Sequence, residues 1–333
     1  MTGTAPDPRG VVAAYGLPGE VRAFDEVPGG WSNRVFRLHT THGEYAVKEL
    51  RNAWGEPRWA DWLAEGWRVE LAAREARVAM PEPVANPSTG QALAHVERSD
   101  GSGEVPVRLH RWVESTSVPR SPVGPDLARW IGRSLAALHA LALRPMRPDL
   151  YVGRVGLTTA DVWPDLVARS ASSQAPWTLE LVAAEPVARR ASALLGFWDA
   201  GHEVLCHGDV DQKNLLLGPG GPLLCDWDVV LPRLPAHDLA EAALSMASWR
   251  EPDVACVVVE GYREAGGAVD RLVATDLGPA LASRLGWIRF TIDRALDARA
   301  AGAPSSDGPD VAGLVLDLDG RVSVAESLDR WLR

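Results

Sequence analysis

The sequence predicts an α+β chain in two lobes: a small antiparallel β lobe with one helix, spanning residues 1–112, and a larger, mainly helical lobe, spanning 113–333. Three observations carry this. At 333 residues the chain is too long for one small core. Its first third alternates short apolar runs with Gly, Pro and Asp, as strands do, and its remainder shows apolar residues at helical spacing. Within the helical part, the run ending Leu215-Leu216-Leu217 and the run Leu223-Leu224-Cys225 flank the turn Gly218-Pro219-Gly220-Gly221-Pro222, which reads as a hairpin of buried strands.

In chain order, residues 11–15 suggest a short helix, and 21–27, 34–40 and 45–50 read as strands. Pro28-Gly29-Gly30-Trp31-Ser32-Asn33 turns between the first two strands, and its glycine pair lets backbone N–H groups approach an anion closely. Lys48 shares a strand face with Ala46 and Leu50, and an inward lysine needs an anionic partner. Residues 57–78 read as a helix with the apolar stripe Trp59, Trp62, Leu63, Val69 and Ala73, and its Glu65 and Glu70 are candidate partners for Lys48. Strands are expected at 84–85, 92–97 and 105–113.

A proline-rich link at 118–125 precedes an amphipathic helix, 126–143, whose His139 reads as a core or capping histidine. Helices are expected at 161–169, 177–200, 238–249, 252–265, 272–300 and 324–332, with a loop at 301–313. Asp238 with Glu241 three residues later has the spacing of a reciprocal helix cap.

Composition narrows the function. The net charge of −10 disfavours nucleic acid or an anionic membrane as a partner. No signal peptide or membrane-spanning segment is read, and the three cysteines show no metal spacing, so reduced thiols in a cytoplasmic protein are expected. Tryptophan is frequent, at 14: several are expected in the core, and some are expected to line a pocket that stacks rings or sugars.

The chemistry concentrates in His207-Gly208-Asp209, in Asn214 five residues after that aspartate, and in Asp226 after the second apolar run. One carboxylate to orient and deprotonate a hydroxyl, with hard oxygen ligands beside it, suits phosphoryl transfer from a magnesium nucleotide. His-x-Asp-x-x-x-x-Asn followed by a strand-borne Asp is the kinase arrangement. With Gly208 in place of the protein-kinase arginine and Asp226-Trp227-Asp228 as the later motif, the chain resembles the aminoglycoside phosphotransferase family, the choline-kinase-like small-molecule kinases, over roughly residues 20–300.

That resemblance implies a bilobal protein-kinase-like fold with the nucleotide between the lobes. It implies ATP or GTP as donor, Mg²⁺ as cofactor, and a small-molecule hydroxyl as acceptor, with the enzyme a monomer or weak homodimer. An antibiotic comes first among acceptors: an aminoglycoside, a cyclic peptide or a sugar-bearing nucleoside. A metabolic kinase for choline, a sugar or an amino alcohol is the alternative, and a non-catalytic nucleotide-binding protein a third reading. No Ala-Pro-Glu segment follows Asp226, which disfavours a protein kinase.

By the same resemblance Asp209 is the catalytic base and Asn214 and Asp226 hold the metal. Gly30, Ser32 and Asn33 cover the phosphates, and Lys48 neutralises them. Glu70 steadies Lys48, chosen over Glu65 by its spacing to Met80-Pro81-Glu82-Pro83. Arg111 and Val113 form the hinge whose backbone meets the nucleobase, although Ser115 stands where the family usually has glycine. His207 props the catalytic loop through its ring nitrogens, and Asp238 braces that loop's backbone. Finally, Glu241, Glu260, Glu264, Asp293 and Asp297, with Trp249, Trp287 and Phe290, are the acids and rings expected to favour a cationic or stackable acceptor.

Overall fold

The computed structural model describes residues 3–28, 33–52, 56–151, 157–196, 200–301 and 309–331. Packing divides the chain into two units: Met1–Val118, Pro145–Leu150 and Lys213–Val230 in the first, and Pro119–Arg144, Tyr151–Gln212 and Leu231–Arg333 in the second. The division expected at 112/113 falls at 118/119, and residues 213–230 pack with the first unit rather than the second.

In chain order the first unit holds α1 (Pro8–Ala14), β1 (Val21–Val27), β2 (Arg34–Thr40), β3 (Gly43–Glu49), α2 (Trp59–Glu75), β4 (Pro83–Val84), β5 (Ala94–Glu97), β6 (Glu104–Arg111) and β7 (Thr116–Ser117). The second unit begins with α3 (Pro125–Ala140), α4 (Trp163–Ser172), α5 (Thr178–Ala193) and β8 (Val204–Cys206). β9 (Leu215–Gly218) and β10 (Gly221–Leu224) return to the first unit. β11 (Leu231–Arg233), α6 (Pro235–Met246), α7 (Pro252–Glu264), α8 (Gly278–Ala300), α9 (Val311–Glu326) and α10 (Leu328–Trp331) complete the second.

The sheet of the first unit runs β1-β2-β3-β6-β4, with β5 also on β6, all antiparallel. Alternation sorts its two faces. Phe36, Leu38, Tyr45, Val47, Val105, Val107 and Leu109 bury one face, together with Val11 and Tyr15 from the α1 region. The Tyr15 hydroxyl lies 2.6 Å from the Ala92 carbonyl oxygen and 2.8 Å from that of Val107, between which its one O–H is shared, fastening that segment to the sheet. Lys48 and Arg108 take the opposite parity and are direct cross-strand partners.

α2 is held against the turn that follows β10. Trp62 Nε1 donates to the Val230 carbonyl (2.8 Å), and a Cβ on Gly66 would stand 2.7 Å from the Trp227 carbonyl oxygen. Gly66→Ala is therefore expected to lower stability by about 1–2 kcal/mol, because overpacking against backbone outweighs the gain in helix propensity. Thermal denaturation checks this, and a melting temperature at or above wild type would show that the contact relaxes freely.

The expected hairpin is β9–β10, with β7 on the other edge of β9, while β8 pairs with β11. One expectation about the second half needs correction. α9 starts at Val311, thirteen residues before the helix expected from 324. Asp310 caps it by accepting from Gly313 N (2.8 Å), and Val311, Leu318, Val322 and Ala325 form its buried stripe. In α3 and α7, Gly132 and Gly261 allow close approach: a Cβ on Gly132 would lie 2.1 Å from the Val258 carbonyl oxygen. The cysteines are free, with Cys206 buried and Cys225 and Cys256 half-buried. Among the described residues no helix is long and apolar enough to cross a membrane.

Candidate active site

In the first unit the site grows from β3, β6 and the turn after β10. Asp226, two residues past the end of β10, takes φ +69°, a left-handed conformation that a short polar side chain tolerates better than an apolar one. From there its Oδ1 lies 2.6 Å from Lys48 Nζ. Two residues on, Asp228 places Oδ2 on the same ammonium and Oδ1 on Arg108 Nη1. Arg108 Nη2 binds Glu70 Oε2, and Glu70 Oε1 lies 2.8 Å from His110 Nε2.

Burial works against charge throughout this chain of contacts, and the partners overcome it. Burial alone would lower the Lys48 pKa, but Asp228 and Asp226 together raise it. Burial would raise Asp228, but Lys48 and Arg108 hold its carboxyl well below the usual range. Glu70 is likewise kept low, with Arg108 and His110 outweighing its burial.

The expected pairing of Lys48 with a helix glutamate is thus corrected. Glu70 is engaged by Arg108 and His110. Glu65 binds Arg68 (2.7 Å) and accepts from Met146 N (3.0 Å). The acids beside Lys48 come from the 226–228 turn, because α2 is pinned to that turn and brings Glu70 to Arg108 instead.

Asn214 reaches the site through strand register. Leu215 pairs with Leu224, so Asn214 stands opposite Cys225, whose N–H donates to the Asn214 carbonyl (2.9 Å), one residue from Asp226. Gly30 and Ser32 lie outside the described residues. Asn33 Oδ1 accepts from Arg51 N (2.9 Å), tying the end of the glycine-rich turn to the exit of β3. At the expected hinge, Arg111 N donates to the Glu82 carbonyl (2.8 Å) and Trp112 N to the Glu44 carbonyl (3.0 Å). The Val113 amide makes no backbone hydrogen bond among the described residues, so of the two hinge candidates it is the one with a donor to offer.

The second unit carries Asp209. Leu205 N donates to the Leu143 carbonyl (2.7 Å), which places β8. His207, fully buried, accepts at Nδ1 from the Asp209 N–H (3.3 Å). Gly208 takes φ +81°, where a side chain would be strained, and its N–H donates to Asp238 Oδ1 (3.3 Å). Asp238 is not a helix cap: α6 begins at Pro235, and Asp238 lies inside it, nearly fully buried. Its Oδ2 lies 3.2 Å from His139 Nε2, whose Nδ1 lies 3.1 Å from the Tyr262 hydroxyl. The bracing expected of Asp238 is present, and His139 extends the brace to α7.

Two residues escaped the motifs. Arg108 is one polar residue in the apolar run Val105-Pro106-Val107-Arg108-Leu109, with no motif around it. Gln212, three residues after Asp209, is buried, and its Nε2 donates to the Ser245 carbonyl (2.6 Å), with Ser248 Oγ (3.2 Å) and the Ser121 carbonyl (3.3 Å) also within reach of its second N–H. These contacts tie the loop that carries Asp209 to the end of α6.

The acids and rings expected to draw a cationic or stackable acceptor are largely matched within the chain. Glu241 binds Arg233, Glu264 binds Arg129 (3.2 Å), Glu260 lies 3.7 Å from Arg129, and Asp293 binds Arg169 (2.6 Å). Arg321 lies over Trp249 (4.6 Å) and Arg294 over Phe290 (5.6 Å). A cationic or ring-bearing acceptor therefore does not follow from these side chains.

A carboxylate and an amide one residue apart across a ladder, with a lysine on the carboxylate, suit a divalent cation and a polyphosphate: the oxygens are hard donors and the lysine marks where anionic charge belongs. Such donors are the ones that phosphoryl transfer from a magnesium nucleotide would need. The profile described as the phosphotransferase enzyme family matches residues 24–303, and the chain belongs to that family. Its fold is the protein-kinase-like one of that family, with antiparallel sheets and helices in a mixed α+β arrangement.

Solved structures share the fold at low identity. A spectinomycin phosphotransferase in complex with ADP and spectinomycin is 12% identical, with a TM-score of 0.63 and 96% of each chain covered. An aminoglycoside phosphotransferase from Alicyclobacillus acidocaldarius is 17% identical, with a TM-score of 0.62, covering 99% of this chain and 97% of the other. A microcompartment-associated aminopropanol kinase is 15% identical, with a TM-score of 0.60 and 97% of each covered. No curated protein matches by sequence.

Proposed function

We propose that this chain is a cytoplasmic, Mg²⁺-dependent kinase that transfers the terminal phosphoryl group of ATP or GTP to a hydroxyl of a small molecule, an antibiotic first among acceptors, giving resistance by phosphorylation. The observation that carries the reading is the ion pair between Lys48 and Asp226, beside Asn214: a phosphate-neutralising cation rests on the carboxylate of the metal-binding pair.

When bound, Mg²⁺ would neutralise charge on the phosphates. Asn214 and Asp226 would hold it, and Lys48 would hold phosphate oxygens. The Val113 N–H donates to the nucleobase, with Gly30, Ser32 and Asn33 over the phosphates and Arg111 shaping the hinge. Asp209 accepts a hydrogen bond from the acceptor hydroxyl and takes its proton as the oxygen–phosphorus bond forms. His207, Asp238 and Gln212 keep the loop of Asp209 in place. Most of the rate then comes from positioning and charge stabilisation, with a smaller factor from the base.

A second reading, a kinase of amino alcohols or related metabolites, is supported by the comparable fold likeness to the aminopropanol kinase. Nucleotide consumption with Mg²⁺ separates the two. The panel is aminoglycosides, spectinomycin, cyclic peptide antibiotics, nucleoside antibiotics, choline, aminopropanol and neutral sugars, followed by a resistance screen of a sensitive bacterium expressing the chain. Consumption driven by an antibiotic, with matching resistance, supports the first reading. Turnover of aminopropanol or choline alone supports the second, and a phosphorylated protein as sole product sinks both.

A further inference from the structure

Lys48 and Arg108 stand directly opposite each other on adjacent strands, and Arg108 is almost fully buried. Like charges in that register destabilise a sheet unless carboxylates lie between them. Three carboxylates meet this pair: Asp228 lies between the two cations, Asp226 is on Lys48 and Glu70 is on Arg108. They are not equivalent. Asp228 is 8% exposed and uses both oxygens, one on Lys48 and one on Arg108. Glu70 is 1% exposed and also uses both, on Arg108 and His110. The Asp226 side chain is 36% exposed and gives only Oδ1 to Lys48.

We propose that Arg108 is a positioning residue that fastens Asp228 to Lys48, so that Asp228 takes the place of a helix glutamate as the lasting partner of Lys48 while Asp226 is given over to the divalent cation. This rests on the phosphotransfer reading above. The guanidinium is suited to the task because its planar fork spans two carboxylates at once, whereas an ammonium is a point charge. Charge counting agrees. Lys48 and Arg108 contribute +2, and Asp228 and Glu70 contribute −2, so these four balance without Asp226. Asp226 can therefore turn to a cation without leaving Lys48 unpaired in a buried setting, and Lys48 stays aimed while it binds phosphate. Glu70 acts one step away, by holding Arg108.

The test is a pair of double-mutant cycles read by calorimetric binding of a non-hydrolysable ATP or GTP analogue with Mg²⁺, alongside thermal denaturation. One cycle joins Lys48→Met and Asp228→Asn, and the other joins Lys48→Met and Glu70→Gln. Asp228→Asn is expected to weaken analogue binding about tenfold when Lys48 is present and less than about twofold in Lys48→Met, with the Lys48–Glu70 coupling below about twofold. Arg108→Lys, which keeps the charge but not the fork, is expected to weaken binding as Asp228→Asn does and to add little to it.

Stronger coupling of Lys48 to Glu70 than to Asp228 overturns the proposal, and so does wild-type affinity in folded Arg108→Lys. If Arg108→Lys does not fold, the two cycles decide alone. Wild-type protein that binds neither analogue with Mg²⁺ defeats the proposed function, and this assignment with it. Analogue binding with the couplings reversed defeats this assignment only.

Discussion

In Asp209→Ala, kcat for phosphoryl transfer falls by roughly 10²–10⁴-fold, the range for loss of a positioned general base, while nucleotide affinity stays within a few-fold. Two backbone donors help shape the loop around Asp209: its own N–H to His207 Nδ1 and the Gly208 N–H to Asp238 Oδ1. Gln212 holds the loop further on through its own side chain. These three contacts run through other groups than the Asp209 carboxylate and persist when it is removed, while the group proposed to meet the acceptor hydroxyl is lost. Steady-state kinetics with a turned-over acceptor and analogue binding by calorimetry read the two quantities separately. Retention of more than about a tenth of wild-type kcat would remove Asp209 from the role of base.

Asp226→Asn is expected to raise the Mg²⁺ concentration needed for half-maximal turnover, and to raise it more than Asn214→Ala does. A carboxylate contributes more to a hard cation than a neutral amide. Asparagine is the informative replacement because residue 226 sits at φ +69°, which asparagine tolerates and alanine resists. An alanine variant would mix backbone strain into the result. Lys48 keeps Asp228 in the Asn variant, so the fold is expected to persist, and thermal denaturation with and without Mg²⁺–nucleotide checks that. Unchanged Mg²⁺ titration curves in both variants would take Asn214 and Asp226 out of the metal site.

The sequence by itself determined what depends on neighbours along the chain. Alternation located β1 and β2 to the residue, and the spacing of Trp62, Leu63, Val69 and Ala73 located α2 to within a turn. The family was legible because its motif is local. Asp209 and Asn214 are separated by one loop, and Asp226 follows one hairpin later, so the order and spacing of chemically distinctive residues survive in the linear text.

The tertiary structure alone decided who partners whom. The pairing of Lys48 with Arg108 spans sixty residues and is set by strand register, and no local pattern encodes that distance. The loss of Glu70 to Arg108, and the recruitment of Asp228 to Lys48, follow from α2 being pinned to the 226–230 turn through Trp62 and Gly66. Asp238 read as a cap because Asp followed by Glu three residues later is a local signal. Proline at the first turn started the helix earlier, and the carboxylate was left inside, where Gly208 and His139 claim it. Periodicity and spacing name the residues that can bear charge in such a site, but a buried charge is placed by its partners. Those partners arrive from strands and helices far away in sequence, because desolvated charges are stable only where folding brings opposite charges to meet them.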